Sequence, residues 1–337
     1  MTDSASRNVV RLRGDGIGPE IADAVELVLD AAGADIAWQD YPAGEKAIAE
    51  FGEPLPQSTI DAIKEAGVAL KSPIATPIGT GFRSVNVQLR KALDLYANYR
   101  PVRSIPGVHG RFENVDLIVI RENTEGLYSG LEHEITPGVV TSLKVSTRAA
   151  SMRIAEFAFS LAERAGRKKI SAVHKANILK LSDGLALQCY REVAAQHPEI
   201  AYEERIIDAT AMALVLKPEQ FDVLVMENLY GDIISDLCAG LIGGLGLAPS
   251  GNYGENVAVF EAVHGTAPDI AGQGIANPTA LLLSAVEMLE YIGKRTISQQ
   301  VRDATLKTLS DGKCRTADLG GKASTMEFAE AIASNIK

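Results

Sequence analysis

Several things are scarce in this chain, and each scarcity removes a class of function. Its 337 residues hold three cysteines, Cys189, Cys238 and Cys314, odd in number, far apart and without ligand spacing. Such a set makes neither a disulfide framework nor a zinc site, and it suits buried thiols in a reducing compartment. Positive charge is in deficit, with 33 Lys and Arg against 43 Asp and Glu for a formal net charge of -10. Nucleic acid and anionic membrane both need basic patches, so neither is expected as a partner. Any anionic substrate must be drawn by a local cluster of cations. The longest late apolar run, "TALLLSAVEML", is interrupted by Glu287 and too short to span a bilayer. No apolar leader opens the chain in "MTDSASRN", and the expected location is cytoplasmic. Fixed-period repeats and low-complexity linkers are also missing. A chain of this length suggests about two domains. Without a linker they are expected to be discontinuous, with the chain crossing twice, near "DLYANYRP" and in the glycine-rich "GLIGGLGLAPSGN".

A further absence is the dinucleotide fingerprint. After the apolar run "VVRL" comes "GDGIGPE", whose three glycines invite the pattern G-x-G-x-x-G. Counted from Gly14 and Gly16 the third glycine falls on Pro19; counted from Gly16 and Gly18 it falls on Ile21. Neither register fits. The segment reads instead as a strand, a tight turn, Pro19 in the first turn of a helix, and an amphipathic helix ending near Gly33.

What is present is alternation. Strand-like "NVVRL", "VDLIVI", "KKISAV", "YEERIID", "FDVLVM" and "NVAVFEAV" alternate with helical "SMRIAEFAFSLAERAG", "DGLALQCYREVAAQH" and "ISQQVRDATLKTL". That order predicts an α/β architecture with sheets covered on both faces. Residues at the carboxyl ends of such strands face ligands. Arg121 follows "LIVI", with Tyr128 in a glycine-bearing loop after it; Arg90, Arg100 and Arg103 fall in "SVNVQLRKALDLYANYRPVR". Arginine suits bidentate binding of carboxylates, although a solvated helix face accounts for Arg90 and Lys91 equally well. His174, Lys175 and Asn177 follow "KKISAV", where a lysine is either plain surface or, beside other cations, a base. Asp232 and Asp236 stand four apart on a helix predicted to begin near Gly231, and Asp208 ends the "ERIID" strand. Two carboxylates on one helical face repel unless a cation sits between them, and oxygen donors favour Mg²⁺ or Mn²⁺. Dipole complementation at the helix start is the alternative for Asp232. The long loop in "FEAVHGTAPDIAGQGIANPTA", with His264, Asp269 and Asn277, is the better place for an adenosine moiety than the glycine turn.

With these segments in order, the chain resembles the isocitrate and 3-isopropylmalate dehydrogenase family of β-decarboxylating dehydrogenases from Val9 to about Ala333. The likeness rests on "GDGIGPE", "LDLYANYRPVR", "RENTEGLYSG", "HKAN", "NLYGDIISD" and "HGTAPDIAGQGIANP". It implies an α/β, isopropylmalate dehydrogenase-like two-domain fold that is not Rossmann. The large domain is expected at 1-95 and 245-337, carrying the cofactor loop, and the small domain at 96-244, carrying substrate, metal and dimerisation. Members are typically homodimers, sometimes larger, with shared sites.

The resemblance also implies roles. Arg90, Arg100 and Arg121 would bind substrate carboxylates; Tyr128 and Lys175 would do acid and base work, Lys175 serving the neighbouring subunit. Asp232 and Asp236 would hold Mg²⁺ or Mn²⁺ with Asp208 of that neighbour. Thr76, Asn177, His264, Gly265, Thr266, Ala267, Asp269 and Asn277 would hold the cofactor. An acid at Asp269 would repel the 2′-phosphate of NADP, so NAD is expected. Ser84 and Asn86 take the place of bulky apolar groups that face an isopropyl substituent in isopropylmalate enzymes, and they fit an anion instead. Isocitrate, oxidised and decarboxylated to 2-oxoglutarate and CO₂, is therefore the expected substrate. Homoisocitrate and 3-isopropylmalate are the alternatives within the family. A non-catalytic regulatory subunit of a heteromeric isocitrate dehydrogenase and a metal-dependent phosphohydrolase are those outside this activity.

Overall fold

The computed structural model describes residues 6–76 and 84–337; Met1–Ala5, part of the segment in which no apolar leader is found, lie outside the described residues. In chain order the elements are β1 (Arg7–Leu12), α1 (Gly18–Ala31), β2 (Ile36–Asp40), α2 (Glu45–Phe51), α3 (Gln57–Ala66), β3 (Val68–Lys71), α4 (Val85–Ala92), β4 (Ala97–Arg103), β5 (Asp116–Glu122), β6 (Gly126–Thr136), β7 (Val139–Val145), α5 (Arg148–Arg164), β8 (Lys169–His174), α6 (Ser182–Ala194), β9 (Ala201–Ile206), α7 (Ile207–Leu216), β10 (Val223–Met226), α8 (Asn228–Ile242), β11 (Pro249–Tyr253), β12 (Ala258–Ala262), α9 (Thr279–Tyr291), α10 (Arg295–Asp311) and α11 (Thr325–Ala333).

They form two compact units. Unit 1 takes Met1–Leu93, Ser104–Glu113 and Ile242–Lys337; unit 2 takes Asp94–Arg103 and Asn114–Leu241. The excursion Ser104–Glu113 adds a second pair of crossings to the two that composition suggests. Burial explains it, since Ile105 inserts into the apolar core of unit 1 and Arg315 donates to the Gly107 carbonyl at 2.6 Å.

In unit 1 the strands run β2-β1-β3-β12-β11, parallel except for the antiparallel β11–β12 pair. Its core is built by α1, α9, α10 and α11 together with β1, β3 and β12. The run that is too short for a membrane is α9, buried from Thr279 to Leu289 on every side, as expected of an apolar helix at the centre of a domain. Glu287 is tolerated there because Arg302 reaches it at 3.1 Å. Among the described residues no helix is long and apolar enough to cross a membrane.

In unit 2 the order is β4-β5-β10-β8-β9, with only β4–β5 antiparallel. The hairpin β6–β7 forms a separate two-stranded sheet. Continuous apolar runs in β5, β8 and β10 match strands buried on both faces.

Four local expectations need correcting. "GLIGGLGLAPSGN" is not only a crossing, because Pro249–Tyr253 pair with β12 and are buried; sheet pairing overrides the Gly and Pro signals. "ANYRPVR" is a strand, β4, for the same reason. Asp208 lies in the first turn of α7 rather than at a strand end, and α8 begins at Asn228, three residues before Gly231.

Candidate active site

In unit 2 the register of two strands and the period of one helix bring a charged cluster together. Asn98 of β4 stands opposite Arg121 of β5, and Arg100, two residues along, shares that face. Asn228, Asp232, Ser235 and Asp236 of α8 are spaced i, i+4, i+7 and i+8, which is one helical face. The two faces meet. Arg121 donates through Nε and Nη2 to Asn228 Oδ1 at 3.0 and 2.7 Å and through Nη1 to Asp232. Arg100 donates to Asn98 Oδ1 at 2.9 Å, Ser235 Oγ at 2.5 Å and Asp236 Oδ1 at 2.8 Å. Gly231 permits this close approach, since a Cβ there would lie 2.5 Å from Cβ and Cγ of Arg121.

Tyr128, in β6 rather than in a loop, donates its hydroxyl to Asp232 Oδ2, and its ring lies 5.0 Å from the Arg121 guanidinium. Burial, and then the Asp232 carboxylate, push the phenol pKa up, so the hydroxyl keeps its proton at neutral pH. Arg103 lies outside the cluster: three residues beyond Arg100 and so on the opposite face of the strand, it pairs with Asp116 at 3.1 Å on the exposed side.

Lys175 opens the turn after β8. Its backbone N–H is held at 2.6 Å by the buried carboxylate of Asp183, and its ammonium group pairs with Asp208, whose pKa that pairing lowers. Asn177 lies exposed on the same turn. Asp208, Asp232 and Asp236 do not gather within one chain. Among the described residues, the one His/Cys/Asp/Glu trio with ligating atoms all within 4.8 Å is Glu163, His197 and Glu199.

In unit 1 the loop after β12 lines a cavity of about 530 Å³, a size suited to a cofactor fragment. His264, Gly265, Ala267, Ile275 and Asn277 face it. Ala267 is held at φ +41°, a left-handed conformation that a side chain adopts at a cost. Burial lowers the His264 pKa, leaving the ring neutral, and its Nε2 is buried with no protein partner. The Asn277 amide donates to Asp318 at 2.9 Å. Asp269 is exposed, and Thr266 turns its carbonyl to the Ile17 N–H.

Thr76 and Ser84 bracket the undescribed residues 77–83, their hydroxyls 3.5 Å apart. In α4, Val85 is fully buried while Ser84 and Asn86 are partly exposed. Arg90 is buried, its Nη2 3.5 Å from Glu261. Glu261 also takes Lys71 at 2.7 Å and Asn252 at 2.8 Å. Burial alone raises a carboxyl pKa; here the Lys71 and Arg90 charges overcome it and hold Glu261 down at about 2. Buried atoms with no partner remain at Asn86 Oδ1 and Arg90 Nε.

A profile of the isocitrate/isopropylmalate dehydrogenase family matches residues 8–332. The chain belongs to that family. A catalytic subunit of NAD isocitrate dehydrogenase from Arabidopsis thaliana mitochondria is 55% identical over 96% of this chain and 87% of its own. A chloroplast 3-isopropylmalate dehydrogenase from Solanum tuberosum is 54% identical over 93% and 88%. The crystal structure of isocitrate dehydrogenase from Methylococcus capsulatus superposes with a TM-score of 0.95 at 47% identity, covering 98% of this chain and 99% of that one. The two-domain α/β fold expected from the resemblance is thereby shown.

The cytoplasmic expectation is corrected by the same comparison, because relatives bearing the NAD isocitrate dehydrogenase name are mitochondrial. A search for an apolar leader speaks only to secretion; mitochondrial targeting segments are amphipathic and Arg-rich, so that criterion cannot see them.

Sequence reasoning missed Asn228, Ser235 and Asp183. Extending the i, i+4, i+7 pattern backwards and forwards from Asp232 finds the first two. Nothing local marks Asp183, which acts across eight residues of turn.

Proposed function

We propose that this chain is an NAD-dependent isocitrate dehydrogenase that works as a homodimer with Mg²⁺ or Mn²⁺. The observation that carries the reading is the convergence of Tyr128, Arg121 and Asp232: a protonated acid, a carboxylate-binding cation and an oxygen ligand within one cluster.

The residues fit both the cofactor and the metal that this activity implies. For the cofactor, His264 and Asn277 line a largely apolar cavity, the buried His264 Nε2 has no protein partner, and Asp269 on the exposed part of the same loop disfavours a 2′-phosphate. For the metal, Asp232 and Asp236 offer only oxygen donors, the preference of a hard dication, and arginines balance them here. Asp208, paired with Lys175 away from that trio's other members, serves the partner's site. Exposed Ile178, Leu181, Met212, Leu216 and Ile233 on unit 2 give the apolar surface such a dimer needs.

When bound, NAD supplies a hydride acceptor and the dication stabilises charge developing on oxygen. Arg90, Arg100 and Arg121 bind and orient the substrate carboxylates. Lys175 takes the proton of the substrate hydroxyl, and Tyr128 returns a proton to the carbon that loses CO₂. The substrate follows from Ser84 and Asn86. Overall identity does not separate isocitrate from isopropylmalate, but buried Val85 sets the Ser84 hydroxyl and the Asn86 amide to either side, and a hydroxyl and an amide N–H can donate to a carboxylate where an isopropyl group offers no acceptor.

Steady-state assays of the purified chain alone test this, with isocitrate, homoisocitrate and 3-isopropylmalate, each with NAD and NADP. Isocitrate with NAD is expected to lead, with loss of activity in chelator and recovery on adding Mg²⁺ or Mn²⁺. A lead for either other acid overturns the substrate; inactivity until a second subunit is added overturns the homomeric enzyme.

A further inference from the structure

The "GDGIGPE" segment takes no part in the chemistry above, yet it touches the cofactor loop at two separated places. At the first, the Ile17 N–H donates to the Thr266 carbonyl at 3.0 Å. This approach requires Gly16: it sits at φ +58°, and a Cβ there would fall 2.1 Å from that same carbonyl oxygen. At the second, Glu20 accepts from the Gly274 N–H at 3.0 Å and from the Ala276 N–H at 3.3 Å.

The placement of Glu20 is informative because an acid in the first turn ordinarily caps its own helix. No side chain caps the start of α1; both Glu20 oxygens go to the loop, more than 250 residues away in sequence. The other side of the same short segment is held by Thr325, whose N–H donates to Gly274 O at 2.8 Å and whose hydroxyl donates to Ala276 O at 2.7 Å. Gly274–Ala276 is thus bonded on both edges, and Ile275, Ala276 and Asn277 line the cavity. Ile17 lines it too.

We infer that Glu20, with the Gly16–Ile17 turn, is a positioning residue for dinucleotide binding. It fixes the 274–276 wall of the cavity, so that Ile275 and Asn277 are set before the cofactor arrives. The inference rests on the reading of this loop as the NAD site. It assigns the motif a mechanical task in place of the phosphate-cradling one its glycines suggest. The clamp uses one carboxylate oxygen for each backbone amide, so glutamine in its place keeps a single acceptor and sets an NH2 donor against the other N–H.

The test compares Glu20→Ala, Glu20→Gln and wild type by NAD titration calorimetry, by KM for each substrate, and by amide hydrogen exchange over residues 272–277. Expected for Glu20→Ala is about tenfold weaker NAD binding, KM for isocitrate within about twofold, and faster exchange at Gly274 and Ala276. Glu20→Gln, which keeps one of the two bonds, should fall between Glu20→Ala and wild type in affinity and in exchange. Asp23→Ala, which removes only the Arg13 ion pair on the same helix, serves as a control that leaves NAD affinity unchanged. Unaltered NAD affinity in Glu20→Ala overturns the inference, as does an equal loss in isocitrate and NAD affinity, which marks general destabilisation. Should Glu20→Ala fail to fold, a Glu20→Gln variant with weaker NAD binding and faster exchange at Gly274 or Ala276 supports the clamp, and one with wild-type exchange and affinity overturns it. A wild-type chain that binds no NAD sinks the functional reading instead, and the exchange rates then decide the clamp by themselves.

Discussion

The loop side of unit 1 and the acidic cluster of unit 2 solve the problem of binding in opposite ways. In unit 1 single atoms of the candidate binding residues, His264 Nε2, Asn86 Oδ1 and Arg90 Nε, are left without protein partners, and the backbone around the loop is fastened by bonds that no ligand needs to displace. In unit 2 the groups satisfy one another: Asp232 holds Arg121 and Tyr128, and Asp236 holds Arg100. The first arrangement is preorganised by shape, and a ligand adds interactions to it. The second is balanced by charge, so a cation and an anionic substrate must exchange existing ion pairs for new ones. One half therefore invests its stability in the site, while the other keeps charges that the fold can spare.

The largest effect that distinguishes the halves should come from a charge of unit 2. Lys175 is partly exposed and its partner Asp208 more so, hence Lys175→Met should leave unfolding and Mn²⁺ affinity near wild type. Turnover should fall by about 10²–10⁴-fold, the usual worth of a positioned base. Stopped-flow and calorimetric measurements check the two parts; wild-type turnover contradicts the base assignment.

Unit 1 should show the reverse, with stability rather than chemistry at stake. Glu261 is 5% exposed and titrates at about 2, against an ordinary 4.5. Because its folded pKa is depressed, its stabilisation is complete above about pH 4.5 and fades as pH falls through 2, amounting to about 3 kcal/mol. Glu261→Gln leaves Lys71 buried without its anion and should cost about 3–5 kcal/mol at pH 7. It should also flatten the dependence of stability on pH between 4.5 and 2. Denaturation at several pH values reads both; an unchanged acid limb means that Lys71 and Arg90 do not govern the transition.

A smaller contrast lies within unit 2 itself. Asp236 is about half exposed, an asparagine keeps an acceptor oxygen for the buried Arg100, and Asn98 and Ser235 hold that arginine as well, so Asp236→Asn should shift the melting temperature little. Mn²⁺ binding should nevertheless weaken by about tenfold or more, since a ligand is gone. A melting shift larger than the loss of metal affinity makes the cluster structural.

The sequence carries these two halves unequally. The i, i+4 spacing of Asp232 and Asp236 is visible because a helix repeats locally, and Arg121 is visible because it ends an apolar strand. The contact of Arg100 with Asp236 depends on the β4–β5 register, which joins residues far apart in the chain and is written in no local pattern. In the same way "HGTAPDIAGQGIANP" shows that a long loop exists, whereas the acceptor that fastens it, Glu20, sits 254 residues earlier. Propensity misled where long-range pairing overrode it: Pro249–Tyr253 and Ala97–Arg103 read as punctuation and fold as strands.

The smallest expected effect belongs to Asp269, the exposed acid of the unit 1 loop. Its position on the loop's surface means that its charge acts through water, and such interactions are worth about 0.2–1 kcal/mol. Asp269→Asn should therefore raise kcat/KM with NADP by only about two- to fivefold and lower it modestly with NAD, through loss of an acceptor for the ribose hydroxyls. The gain should shrink in about 1 M salt, where screening acts over roughly 3 Å. If the gain instead survives high salt, the carboxylate discriminates by shape or hydrogen bonding, and the division between a shaped unit 1 and a charge-balanced unit 2 extends to the rim of the cavity.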